Sequence, residues 1–406
     1  MKVKQITAYK KRVERRGPLA RGSTFIAVGS FGIIIPILPA YLASIGQGGT
    51  AAGLMIAIFA GAQLVMSPIA GKWADQYGRR KMIIYGLVGL TLSMFVFYFS
   101  NSVTVLYISR AIGGAGAALL IPAIFAYVAD ITTMDQRAKG NSYVSAAMSL
   151  GIVIGPGIGG FLAEYDLKLP LLISAIVSGA AVLFSVLLLQ ESEQHDATAM
   201  APDEGSMLKK LGTSFKKPYF VPLVITLVMS FGLMAYESVL GLFVDDQFGA
   251  SPKDIAIMVT STGIISVIAQ IFIVDKLSRN LGEGKVLNLF LFIAALGFLL
   301  SLLTSSYGGF FAITLVIFLA TSILRPVLNT MISKLAGNEQ GFAMGMNNAY
   351  MSIGNVLGPT LAGVLYDVNI FYPFALGLIF LVVTFIGSFI WQKRQARLIA
   401  KVEQSS

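Results

Sequence analysis

Three ionisable side chains interrupt runs that are otherwise apolar. Glu237 lies in the run 219–244, Arg110 in 103–129 and Arg325 in 309–333. A charge inside a hydrocarbon layer is costly and marks a functional position by default. At 1.5 Å per residue, Arg110 lies about 10 Å from one end of its run, Glu237 about 28 Å along its own, and Arg325 about 24 Å along the third. Arginine keeps its proton at any relevant pH, so of the three only Glu237 can exchange one. A carboxyl at that depth can bind a proton or a cation in turn, and that competition can couple the two without contact between them. Covalent chemistry has no comparable candidates. The chain has no cysteine and one histidine, His195, in a polar stretch, which removes thiol nucleophiles, disulfides and a His/Cys metal site. No GxxxxGK[ST] phosphate loop occurs, so ATP is not the fuel. The expectation is a non-enzyme without metal or cofactor.

The elements that position these groups are membrane helices. Of 406 residues, 56% are hydrophobic and 12% charged, against about a quarter charged in a soluble domain. Runs long enough to span a bilayer fall at about 23–45, 51–71, 82–100, 103–129, 140–163, 170–190, 219–244, 253–274, 286–304, 309–333, 342–366 and 371–391. The fold class is therefore all-α, with twelve transmembrane helices. The organisation is a basic N-terminal segment 1–22, a six-helix half 23–190, a polar linker 191–218, a second half 219–391 and a tail 392–406. The basic start runs into apolar sequence without a small-residue cleavage site, so no cleaved signal is expected. The net charge of +10 could indicate nucleic acid or an anionic membrane face. Placement decides: 26 of the 30 Lys and Arg fall on the side of the bilayer that also holds both termini. That side is cytoplasmic, the location is the cell membrane, and nucleic acid is not needed to explain the charge.

Two stretches repeat. Gly151-Ile-Val-Ile-Gly-Pro-Gly-Ile-Gly-Gly160 returns as Gly354-Asn-Val-Leu-Gly-Pro-Thr-Leu-Ala-Gly363. Gly151, Gly155 and Gly159 share one helix face and admit a close neighbour, while Pro156 removes a backbone donor and bends the helix. Copies at matched places indicate duplication, and parallel repeats of this kind enclose a substrate site near the bilayer middle. The segment Gly71-Lys-Trp-Ala-Asp-Gln-Tyr-Gly-Arg-Arg-Lys81 joins the second and third runs. Its Gly71 and Gly78 permit a tight connection, Asp75 can meet a helix N-terminus, and Arg79 and Arg80 can pair with acids or lipid phosphates.

This GxxxDxxGRRK segment resembles the signature loop of the major facilitator superfamily. Arg110 through Ala118 is similar to the fourth-helix motif of that family, and Gly151–Gly160 to its fifth-helix antiporter motif, including Gly160. Ser230–Ser238, Leu324–Pro326 and the stretch from Gly341 to Pro359 look like multidrug efflux pumps of the NorA and Bmr type. The resemblance implies a proton-coupled antiporter that exports lipophilic, cationic drugs by alternating access, working as a monomer in the lipid bilayer. It implies that Asp130 pairs with the basic residues after Asp75, and that Glu237, Arg110 and Arg325 take part in coupling. It also implies cavity positions for Phe59, Gln63, Tyr143, Phe318, Asn347 and Asn355; Tyr236 joins them because it adjoins Glu237. Relatives carry an acid three residues before the arginine, where this chain has Ser322. The alternatives are a lipid or metabolite exporter on the same scaffold and a non-transporting membrane receptor or scaffold.

Overall fold

The computed structural model describes Ile26, Gly29 and residues 32–131, 134–191, 207–337 and 339–405. The expected segment 1–22 and His195 lie outside the described residues. The described residues form helices and no strand. A chain in hydrocarbon must satisfy its backbone polar groups within each segment, and the helix does this.

The elements are α1 (Leu38–Ser44), α2 (Gly49–Tyr77), α3 (Arg79–Phe99), α4 (Val103–Ile131), α5 (Met134–Ala163), α6 (Leu169–Leu188), a short α7 (Met207–Ser214), α8 (Phe220–Phe248), α9 (Pro252–Ile268), a π-helical turn (Ala269–Ile273), α10 (Val274–Leu281), α11 (Glu283–Leu303), α12 (Tyr307–Ala336), α13 (Gln340–Val368) and α14 (Tyr372–Ser405). Among the described residues, ten helices are long and apolar enough to cross a membrane. The first expected span, 23–45, is only partly described. The other exception is α13, which at 29 residues is long enough but carries Asn347, Asn348, Asn355 and several glycines that dilute its apolar character. Several helices outrun their apolar runs: α2 continues through Gly71 to Tyr77, and α14 continues through the expected tail to Ser405. Gly71 thus lies inside a helix. The tight turn rests on Gly78 alone, whose φ of 98° only glycine adopts freely.

The chain divides into two compact units. One takes in Met1–Pro202 with Gly249–Thr260, the other Asp203–Phe248 with Ser261–Ser406. In the first unit α4 packs against α2 and α3, and α3 also against α6. In the second, α11 packs against α12 and α14, and α13 against α8. The duplicated Gly/Pro helices do the same work in each. A Cβ on Gly155 would stand 2.6 Å from the Gly29 carbonyl, and one on Gly159 would strike the Ile33 carbonyl. A Cβ on Gly354 would stand 2.6 Å from the Leu227 carbonyl, and one on Gly358 would strike that of Phe231. Pro156 itself lies where a Cβ on Gly32 would come within 2.9 Å of its ring. Gly160 faces Ala256 and the Pro252 carbonyl of α9, so its glycine serves a second neighbour.

Candidate functional site

The first unit buries Arg110 within α4, leaving it only 3% exposed. Its Nη2 donates to Ser93 Oγ over 3.4 Å, and its guanidinium carbon lies 5.1 Å from the Phe97 ring centre and 6.0 Å from that of Phe59. The Nε has no partner, and no ion pair reaches this cation among the described residues. Aromatic faces therefore supply much of what a carboxylate would otherwise provide. The small residues after Arg110 explain how the helices approach so closely: a Cβ on Gly114 would strike the Phe59 carbonyl, and one on Gly116 would come within 2.8 Å of the Gly86 carbonyl. Ser93 and Ser109 bind the α3–α4 contact, each hydroxyl donating to the other's carbonyl at 2.7 Å. Of the other expected cavity positions here, Phe59 is buried, Gln63 half-buried and Tyr143 46% exposed.

The signature loop lies at the α2–α3 turn. Arg79 Nη1 donates to the Ala74 carbonyl at 2.6 Å, closing the end of α2, and its Nε lies 3.3 Å from Asp130 Oδ2 at the end of α4. The pairing implied for Asp130 is thus made by Arg79. Arg80 donates from Nη2 to the Val186 carbonyl at 2.7 Å, and its backbone N–H donates to Glu191 Oε1 at 3.0 Å. Glu191 caps α3, which has no other side-chain cap. The side chain of Asp75 lies outside the described residues.

The second unit holds the remaining residues. Glu237 lies about 26 Å along α8 at 1.5 Å per residue, is half-buried, and has no hydrogen bond or ion pair among the described residues. The Arg325 guanidinium on α12 lies near enough to act on it electrostatically. Arg325 is itself exposed. Tyr236, one residue from Glu237, turns the other way and is 2% exposed. Its hydroxyl shares a 2.7 Å hydrogen bond with Thr314, and its ring centre lies 5.1, 5.3 and 6.3 Å from those of Phe298, Phe374 and Phe318. Tyr236 is therefore part of the packed aromatic interior, with Phe318 half-buried at its edge. Asn347 accepts from Thr226 at 2.9 Å and donates to Asn329 at 2.8 Å, tying α8, α12 and α13 together. The Oδ1 of Asn355 is buried without a partner. Ser322 donates back to the Phe318 carbonyl of its own helix at 2.6 Å.

Several partners here carry no sequence signal strong enough to find. Glu191 reads as the first residue of a polar linker, and Ser93, Ser109, Thr226 and Asn329 as ordinary small polar residues of membrane helices. The knot of Asn288, Ser388 and Gln392, in which Ser388 donates to Asn288 at 2.8 Å, joins α11 to α14 in the same hidden way. Gly282, not singled out by the sequence, ends α10 and starts α11 at φ 78°, as Gly78 does between α2 and α3. Just outside the spans, Lys217 donates to Glu339 at 2.7 Å and the Tyr219 hydroxyl donates to the same carboxylate at 3.2 Å. The Lys217 hydrogen bond holds the Glu339 carboxyl below its ordinary range. Burial, aided by Glu339, pushes the Tyr219 hydroxyl up to about 12. No group of three metal-ligating side chains occurs among the described residues.

Known proteins share much of this sequence and this fold. The chain is 40% identical over 374 residues to multidrug resistance protein 2 of Bacillus subtilis, covering 91% of this chain and 94% of that protein. It is 34% identical over 349 residues to the quinolone resistance protein NorA of Staphylococcus aureus, covering 86% and 89%. A crystal structure of a point mutant of the nucleoside transporter NupG superposes with a TM-score of 0.79 at 14% identity, covering 92% of this chain and 99% of that one. The family pattern described as Major Facilitator Superfamily matches residues 22–247 and 223–404, almost the whole length, and the chain belongs to that family of membrane transporters.

Proposed function

We propose that this chain is a proton-coupled multidrug antiporter of the cell membrane, exporting lipophilic cations by alternating access with both termini in the cytoplasm. The observation that carries the coupling is Glu237. It is an acid deep in a membrane span, held by no hydrogen bond or ion pair among the described residues and acted on by Arg325. A carboxyl in that setting is free to exchange a proton, and a cation bound beside it competes for the same negative charge. Names of relatives over 86% or more of the chain supply the substrate class: one is a multidrug resistance protein and another a quinolone resistance protein. The working unit is a monomer, and the fuel is the proton gradient.

The test uses everted membrane vesicles with ethidium supplied in the outer medium as substrate. Wild-type protein accumulates ethidium when a pH gradient is imposed and stops when the gradient is collapsed. Glu237→Gln, which fixes the neutral form, abolishes gradient-driven uptake and weakens ethidium binding to the purified protein. Wild-type rates in Glu237→Gln would remove Glu237 from the coupling step. No gradient dependence in the wild type would remove proton coupling altogether.

A further inference from the structure

The ion pair between Glu283 and Lys334, 2.6 Å between Oε1 and Nζ, repeats in the second unit what Arg79 and Asp130 make in the first. The two members are 51 residues apart in both cases. The first member directly follows a glycine of almost the same backbone geometry, φ 98° and ψ 150° at Gly78, φ 78° and ψ 148° at Gly282. That glycine closes one helix and opens the next each time, α2 into α3 and α10 into α11. The second member stands in the last turn of the helix that follows, Asp130 in α4 and Lys334 in α12. The polarity is reversed: base then acid in the first unit, acid then base in the second.

The reversal has an electrostatic counterpart. Glu283 at the start of α11 and Lys334 at the end of α12 both complement the helix dipoles there. Arg79 at the start of α3 and Asp130 at the end of α4 both oppose theirs. In the first unit the missing negative charge at the α3 N-terminus comes from Glu191, whose carboxylate occupies the space a Cβ on Gly78 would need. In the second unit the space at the equivalent Gly282 is open, and a neutral amide stands two residues on: Gln392 Oε1 lies 2.9 Å from where a Cβ on Gly284 would stand. Each turn thus carries one acid at the new helix's start and one ion pair to the end of the next helix, with the charges redistributed.

We propose that Glu283 and Lys334 are positioning residues of the transport cycle, holding the α10–α11 turn as Arg79 and Asp130 hold the α2–α3 turn. This rests on the chain being the exporter proposed above, because the readout is efflux. As an isolated surface contact, with Lys334 64% exposed, the pair would contribute little. Its role is therefore read from rate and from rescue, not from stability alone. Everted vesicles would carry wild type, Glu283→Lys, Lys334→Glu and the double swap, with ethidium as probe, and ethidium binding would be measured on each purified protein. The expected result is a fall of about five-fold or more in initial rate for each single variant, with ethidium affinity within two-fold of wild type. The double swap should recover at least half the wild-type rate. Glu283→Gln, which keeps the shape of the side chain, serves if a charge-reversed variant is lost from the membrane, and it should slow transport without changing affinity. Wild-type rates in the single variants or in Glu283→Gln would overturn the proposal, as would a double swap no faster than the slower single. Inactive wild-type vesicles would instead fault the efflux reading itself.

Discussion

Substituting Gly358 by alanine tests whether backbone-to-backbone approach holds α13 on α8. The added Cβ would strike the Phe231 carbonyl and lie 3.1 Å from the Ala235 nitrogen. Both are main-chain atoms of α8, so no side chain can swing aside; the two helices must separate. Overpacking of a close contact costs roughly 1–3 kcal/mol, against a helix-propensity gain of at most about 1 kcal/mol for replacing glycine. The net effect is a loss of up to roughly 2 kcal/mol, and a unit of roughly 200 residues shifts its melting temperature by about 2–4 °C for each. Gly345 in the same helix is the control, because a Cβ there meets nothing within 4 Å. Gly345→Ala should melt at or above the wild-type temperature, and Gly358→Ala several degrees below it. The assay is thermal unfolding of purified protein in detergent, followed by intrinsic fluorescence. If Gly358→Ala melts with Gly345→Ala, the glycine face is not what sets the α8–α13 distance.

Two further outcomes follow from the charges outside the membrane. The natural absence of cysteine makes single-cysteine labelling clean: on the proposed orientation, cysteine at Asn101 reacts with an impermeant maleimide on intact cells and cysteine at Ser278 does not, the opposite pattern reversing that orientation. The Tyr219 hydroxyl, raised to about 12 in the folded protein from its ordinary 10, stabilises the fold fully below pH 10 and loses that contribution as pH climbs toward 12. The melting temperature of wild type should therefore fall relative to Tyr219→Phe across that interval, and parallel curves would show that the fold does not raise the Tyr219 hydroxyl.

What could be read from the letters was whatever rests on spacing. Apolar runs locate the helices because lipid leaves the backbone no other option, and Gly155, Gly159, Gly354 and Gly358 show their packing faces because glycine four apart has few other uses in a membrane helix. The turn glycine Gly78 was legible for the same reason, whereas Gly71, equally glycine, lies in mid-helix with open space around it. Depth along a helix identified Arg110, Glu237 and Arg325, but direction around it did not: Tyr236 and Glu237 are neighbours in sequence and point apart, because successive side chains on a helix are about 100° from one another. Partners distant in sequence stayed hidden. Nothing in the run of Ser93, Ser109, Thr226 or Asn329 says that each closes a hydrogen bond between helices, and Glu191 could not be told from the polar linker it opens.

The duplication, compared residue by residue, separates scaffold from chemistry. Both units share two helix pairings, α3 with α4 and α6 in the first and α11 with α12 and α14 in the second, along with glycine contacts between a Gly/Pro helix and an earlier one and a glycine turn followed by an ion pair 51 residues long. Their buried charges differ. The first unit holds a cation, Arg110, that no acid pairs among the described residues and that leans on Phe97 and Phe59. The second holds an acid, Glu237, within the electrostatic reach of a cation. An arginine cannot give up its proton at any relevant pH, so on the proposed reading proton exchange belongs to the second unit alone. That asymmetry is chemical and not architectural: two copies of one backbone can carry a single titrating site, provided the other copy's charge never titrates.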